Sequence, residues 1–117
     1  FEDRMLQVFK NLINNAISFS PYNGTILLRI SMGGKTIKIF IEDEGPGLQP
    51  ETEKIIFNRF YRERPDGEKF GIHSGLGLSI SQQIIKAHGG HICAKNMLDT
   101  AGNILGACFI IELPKAE

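Results

Sequence analysis

Glycine cuts this chain where its apolar runs end, and two of those cuts constrain the fold most. Asp43-Glu44-Gly45-Pro46-Gly47-Leu48 closes a β-branched run, and Gly75-Leu76-Gly77-Leu78 opens a helical one. Glycine permits positive φ and lets a ligand approach the main chain closely. The second turn leads into a helix, whose free N–H groups and dipole favour a phosphate at that end. A lone carboxylate at a strand end, followed by a glycine-led helix, points to a nucleotide site built mostly from backbone. Either turn alone also suits an ordinary connection. G-x-x-x-x-G-K-[ST] does not occur, which excludes a P-loop.

Between these cuts the periodicity changes from 3.6 to 2 and back. Arg4 to Phe19 reads as an amphipathic helix, with Met5, Leu6, Val8, Phe9, Leu12, Ile13, Ala16 and Ile17 on one arc. Pro21 and Asn23-Gly24 end it. Thr25–Ser31 and Lys35–Glu42 are strand candidates joined as a hairpin by Gly33-Gly34. Pro50–Phe60 is a short helical candidate, and Glu63–Ser74 a charged mobile loop. Leu78–His88 is helical and is stopped by Gly89-Gly90. His91–Met97 and Ala107–Leu113 are the last strands, linked by a polar turn over Asp99–Gly106. This order predicts an α/β two-layer sandwich, its sheet mixed or antiparallel and covered on one face by helices.

A length of 117 residues suits one domain. Thirteen basic residues balance thirteen acidic ones, so no global field draws in nucleic acid. No apolar run approaches the roughly 20 residues that span a bilayer, so direct membrane insertion is not expected. Cys93 and Cys108 fall in apolar strand candidates, where buried free thiols are expected. The chain begins at Phe1, with a helical pattern starting almost at once, as expected of a piece of a longer protein.

Asn11 and Asn15 lie one helical turn apart and project from one face, with Gln7 and Ser18 extending the stripe. Asparagine is a middling helix former, so this stripe lowers helix propensity without aiding a core. Amide oxygens are hard neutral ligands that can share magnesium with phosphate oxygens; the stripe also suits a solvated face. Asp43 could accept a hydrogen bond from an exocyclic amine, which adenine has and guanine lacks at that position, or could cap a turn. Arg59, Arg62, Arg64 and Lys69 flank the charged loop and could reach a triphosphate, or serve solubility alone.

Four segments carry a family resemblance. Asn11-Leu12-Ile13-Asn14-Asn15-Ala16, Asp43-Glu44-Gly45-Pro46-Gly47, Ile56-Phe57-Asn58-Arg59-Phe60-Tyr61-Arg62 and Gly75-Leu76-Gly77-Leu78 resemble the N, G1, F and G2 boxes of sensor histidine kinases, in that order and at that spacing. His88-Gly89-Gly90 and Phe109 to Leu113-Pro114 extend the likeness over nearly the whole chain. Ala16 to Pro21 and Phe57 to Pro65 are similar to the proteobacterial ChvG/ExoS type.

The resemblance implies a Bergerat-type ATP-binding fold over residues 1–117, with a mobile ATP lid at about 61–76. It implies ATP and Mg2+ as cofactors. Asn15 would be the main magnesium ligand, assisted by Asn11, and both with Arg62 would serve phosphoryl transfer. Asp43 would bind the adenine amino group, within a loop from Gly45 and Gly47 to Leu48 that passes close to the base. Phe19 would pack near the adenine. Phe57 and Phe60 would anchor the lid, Arg62 would approach the phosphates, and Ser74, Gly75, Leu76, Gly77 and Leu78 would close over them.

Three departures stand out. Ser18 replaces a frequent Lys or Arg, His73 replaces the first glycine of the G2 box, and the strand that precedes the N box is absent or truncated. The sheet is then expected to have an exposed edge or to lean on Phe1.

Hydrolytic relatives carry a glutamate one turn before the magnesium asparagine. Here that position is Asn11, which cannot act as a base near neutral pH. Transfer to an external acceptor is therefore expected rather than rapid hydrolysis. His73, His88 and His91 do not sit mid-helix beside an acidic residue. The acceptor is expected in a dimerisation and histidine phosphoacceptor domain N-terminal to Phe1, with a response regulator next in line. The resemblance implies a domain that works in the cytoplasm, as part of an inner-membrane sensor. A serine protein kinase of the anti-sigma-factor type, a hydrolytic ATPase and a nucleotide-sensing module are the alternatives on this fold.

Overall fold

The structure, a computed structural model, describes residues 2–48, 56, 57 and 77–115. Along the chain these form α1 (Glu2–Phe19), β1 (Leu27–Gly33), β2 (Thr36–Glu42), α2 (Gly77–Ala87), β3 (His91–Leu98) and β4 (Ile104–Pro114). The lid candidate, Phe60, Arg62, Ser74, Gly75 and Leu76 lie outside the described residues, as do most of the Pro50–Phe60 helical candidate and Arg59, Arg64, Lys69 and His73.

α1 buries Met5, Val8, Leu12 and Ala16, spaced three and four apart as an amphipathic helix requires. Pro21 follows the last helical bond, from the Ser20 N–H to the Ala16 carbonyl. α2 buries Ser79, Ser81, Ile84 and Ile85. Its end is a Schellman turn: the Gly90 N–H reaches the Ile85 carbonyl, the Gly89 N–H reaches that of Lys86, and Gly89 has φ 79°.

The sheet order is β1-β2-β4-β3. Every pairing is antiparallel, so among the described residues the sheet has no mixed part. β2 and β4 are distant in sequence but adjacent at the centre, with Ile39 opposite Ile111 and Ile41 opposite Phe109. Those residues, with Ile92 and Ala94 of β3, form the face packed under α1 and α2. Phe57 meets the same face, edge-on to Phe109 at 6.1 Å between centroids. The opposite face is polar at its rim, where Arg29 bonds Glu42 and lies over the Phe40 ring.

β4 begins earlier than the glycine and polar residues of the sequence predict. Asp99 draws the turn tight, accepting from the Asn103 N–H, the Asn103 side-chain amide and the Ala101 N–H, and these bonds hold its carboxyl below the usual range. Pairing therefore extends outward to Leu98 opposite Ile104, through an irregularity at Met97/Leu98.

Cys108 is buried and free, as expected, but Cys93 is exposed. Both lie on the sheet face away from the helices. Cys108 is on the central strand, flanked across the ladder by Glu42 and Lys95, whereas Cys93 is on the edge strand β3. Burial, then the Glu42 charge, pushes the Cys108 thiol up.

β1 is the other edge, and all seven of its residues are exposed. Leu28, Ile30 and Met32 oppose Ile41, Ile39 and Ile37 and so sit on the core side, yet the helices do not cover them. The exposed edge expected from the sequence is present. Phe1 lies outside the described residues.

Candidate functional site

The end of α1, the turn after β2 and the start of β4 converge on one cleft. Asn15, Phe19, Asp43, Gly47, Leu48, Ile56, Ala107 and Phe109 line it. Five of these residues, Asn15, Phe19, Asp43, Gly47 and Leu48, are site candidates from the sequence.

Asp43 lies one residue beyond β2 and is only 2% exposed. Its own N–H donates to the Ala107 carbonyl, carrying the β2–β4 ladder one residue further. Its Oδ1 accepts from the Gly45 N–H at 2.8 Å and the Ala107 N–H at 3.2 Å. Burial pushes the carboxyl above its ordinary value, and these two backbone bonds partly offset the rise. Among the described residues both bonds use the same oxygen. Oδ2 is therefore the atom suited to a ligand donor such as an exocyclic amine.

The glycines of this loop are required by the protein's own packing. A Cβ on Gly45 would stand 2.5 Å from the Phe19 carbonyl oxygen, so the loop passes against the end of α1. Gly47 has φ 84°, and a Cβ there would meet Ile104 Cγ2 at 2.5 Å and Asn96 Oδ1 at 2.6 Å.

Asn96 is a site residue that the sequence reading missed. From β3 it grips Leu48 twice: its Oδ1 accepts from the Leu48 N–H at 2.6 Å, and its Nδ2 donates to the Leu48 carbonyl at 3.2 Å. The side chain thus imitates a strand neighbour and fixes the far end of the loop. The available signal was an asparagine inside an apolar strand, where that residue is depleted. Asn96→Ala is expected to leave two backbone groups unpaired and weaken nucleotide binding about tenfold. Asn96→Asp, which keeps only the acceptor, should fall between. Calorimetric titration with ADP would check both.

Asn11 and Asn15 are both half-buried on α1. Asn11 Nδ2 donates to the Gly77 carbonyl and to Ser81 Oγ, each at 3.3 Å. The predicted N box is thereby joined to the start of α2, and Gly77 comes beside Asn11, with its Cβ position 3.7 Å from Asn11 Cγ. Leu78 packs partly buried against the core rather than lining the cleft.

No group of three or more His, Cys, Asp or Glu able to hold a metal exists among the described residues. A cation here would take neutral amide oxygens from Asn11 and Asn15 and its remaining ligands from phosphate and water. That donor set fits Mg2+, which keeps waters and binds substrate phosphates. The amide nitrogen of Asn11 is already engaged, so its oxygen is the atom left for a cation. Asp43 fits adenine by the same reasoning. No helix among the described residues is long and apolar enough to cross a membrane.

The family model of histidine kinase-, DNA gyrase B- and HSP90-like ATPases matches residues 1–117. The sensor protein ChvG of Rhizobium meliloti is 49% identical over 97% of this chain, and that of Agrobacterium fabrum 50% over 97%. The chain spans 20% and 19% of those proteins, about a fifth of their length. Among solved structures, the mycobacterial sensor histidine kinase MprB matches with a TM-score of 0.83 at 30% identity, over 97% of this chain and 72% of that one. Full-length ShkA, in complex with AMPPNP, matches at 0.75 and 30%, over 95% and 21%. Histidine kinase ThkA, in complex with the response regulator TrrA, matches at 0.76 and 30%, over 97% and 29%. The chain belongs to the histidine kinase-, DNA gyrase B- and HSP90-like ATPase family, and within it is similar to the catalytic domains of sensor histidine kinases of the ChvG type.

Proposed function

We propose that this chain binds Mg-ATP and donates the γ-phosphoryl group to a histidine on a dimerisation domain N-terminal to it in its parent protein. The observation that carries the reading is the buried Asp43 carboxylate, held through one oxygen at the wall of a cleft that Asn15 and Phe19 also line. Asp43 Oδ2 accepts from the adenine amine. Phe19, Leu48, Ile56 and Phe109 supply apolar surface for the base. Asn15, with Asn11 one turn earlier, presents amide oxygens to the cation.

Magnesium, when bound, neutralises phosphate charge as the γ-phosphoryl group departs. The chain's own part is positioning, which suits a reaction that needs little covalent help from protein. Asn11 cannot take a proton from water near neutral pH, which favours transfer over hydrolysis. His88 follows the end of α2, where its Nδ1 donates to the Ile84 carbonyl at 2.8 Å, and does not sit mid-helix beside an acidic residue. Arg62, Phe60 and Ser74 to Leu76 complete the site in this reading, with Arg62 on the phosphates. A response regulator receives the phosphoryl group next in this reading; the similar histidine kinase ThkA is seen in complex with a response regulator, TrrA. The domain then works in the cytoplasm, attached to an inner-membrane sensor.

The test is to mix the chain with its phosphoacceptor domain and radiolabelled Mg-ATP. An acid-labile phosphohistidine on the acceptor is expected, with no strong labelling of the chain alone. Asn15→Ala should lower transfer by about 100-fold or more. Strong self-labelling, or a labelled serine on the partner, would overturn the reading. Tight ATP binding without transfer would mark a nucleotide-sensing module instead.

A further inference from the structure

We propose that Ser81 is a positioning residue that orients the amide of Asn11 for its cation, an inference that rests on the Mg-ATP reading above. Ser81 is fully buried in α2, with no exposed surface. It faces α1, and its hydroxyl accepts from Asn11 Nδ2 at 3.3 Å. The Gly77 carbonyl, one turn earlier on α2, accepts from the same nitrogen at 3.3 Å. Two acceptors stacked along one helix face thus hold one amide NH2 group.

This arrangement decides which end of the amide is which. A carbonyl can only accept, so turning the Asn11 amide over would set its oxygen against the Gly77 oxygen. The amide is planar, and holding Nδ2 against α2 directs Oδ1 away from it. Both bonds are long, so neither alone is strong. The terminal torsion of asparagine is broad, and a single long bond leaves it loosely held. The second acceptor narrows that torsion before any ligand arrives. An oxygen already aimed loses less freedom when it binds a cation.

Asn15 has no side-chain hydrogen bond of this kind among the described residues. The two amides therefore differ: Asn11 is oriented by α2, whereas Asn15 is free to adjust to the ligand. Ser81 never touches nucleotide in this proposal. Its effect passes through Asn11.

Three variants test it: Ser81→Ala removes the acceptor, Ser81→Cys nearly keeps the volume but accepts weakly, and Ser81→Thr keeps the hydroxyl. The first readout needs no magnesium. In 15N-labelled chain without nucleotide, the Asn11 side-chain NH2 resonances should shift and exchange faster with water in the Ala and Cys variants, and stay near wild type in the Thr variant. The second is ATP affinity by calorimetry, with Mg2+ and with EDTA. In the Ala and Cys variants the gain from Mg2+ should fall about fivefold, while affinity in EDTA stays within about twofold of wild type. Ser81→Thr should restore the gain.

Unchanged Asn11 resonances in Ser81→Ala would overturn the proposal, as would equal losses with and without Mg2+. If wild-type chain gains nothing from Mg2+, the magnesium reading itself falls, even where the resonances shift as expected.

Discussion

Asp43→Asn is expected to abolish adenine-nucleotide binding while leaving the fold as stable as before, or more so. The two backbone N–H groups of Gly45 and Ala107 require an acceptor at Oδ1. An asparagine can satisfy both with its own oxygen, which forces its NH2 into the place of Oδ2. That place is where the adenine amine must donate, so donor would meet donor. A site built to accept a hydrogen bond discriminates strongly once the acceptor is lost. The affinity for ATP or ADP should fall by about 100-fold or more. Calorimetric titration reads this directly, and retained affinity would remove Asp43 from base recognition.

The same substitution makes a pH prediction whose sign follows from burial. Desolvation raises the Asp43 carboxyl above its ordinary value. The folded state therefore holds its proton more tightly than the unfolded state does. The stability from this group is fully present below the ordinary carboxylate value and is lost as pH rises through the raised one. Above the raised value wild type bears the cost of an ionised, buried carboxylate, and Asp43→Asn does not. The melting temperature of the variant should equal or exceed that of wild type at pH 7, and the difference should shrink as pH falls toward about 4. A variant less stable at pH 7 than at pH 4, relative to wild type, would reverse the sign and refute the argument.

Gly106→Ala should be the most damaging added methyl among the described glycines. A Cβ at Gly106 would fall on the Asp43 carbonyl oxygen, with the Glu44 Cα only 3.1 Å away. Both neighbours are backbone, and neither can swing aside as a side chain tip would. The Asp43 N–H is bonded to the Ala107 carbonyl, and the Ala107 N–H to Asp43 Oδ1, so separating the strands breaks both. Overpacking against a fixed backbone is expected to cost about 3 kcal/mol or more, a drop of about 10 °C or more in melting temperature. ADP affinity should fall with it, since the same separation moves Asp43. Gly102→Ala is the control, because a Cβ there meets nothing within 4 Å, although φ 89° gives it modest strain. Equal effects of the two substitutions would show that close approach is not what Gly106 provides.

Much of this was legible in the order of residues. Helical spacing located both helices to within a residue or two, because an amphipathic face repeats locally and needs no partner to be seen. The strands were legible as apolar runs between glycines. Their ends were not, since a ladder stops where its partner stops. β4 reaches out to Ile104 because the Asp99 carboxylate closes its turn, and only the paired strand reveals that.

The candidate site divides in the same way. Asn11, Asn15 and Asp43 were readable because each is a polar residue in a place that periodicity marks as special. Asn96 and Ser81 were not, because each acts on a residue far along the chain: Asn96 on Leu48, and Ser81 on Asn11. The likeness to sensor histidine kinases came from the residues, order and spacing of the motifs.

The sequence by itself therefore determined the elements, the family and the residue types that could meet a nucleotide. Only the tertiary structure decided that Asp43 turns one oxygen inward and that Asn11 leans on α2. Only it showed that Gly45, Gly47 and Gly106 are demanded by neighbouring atoms. The reason is that a hydrogen bond or steric contact between distant residues depends on where packing places them, which no local pattern encodes.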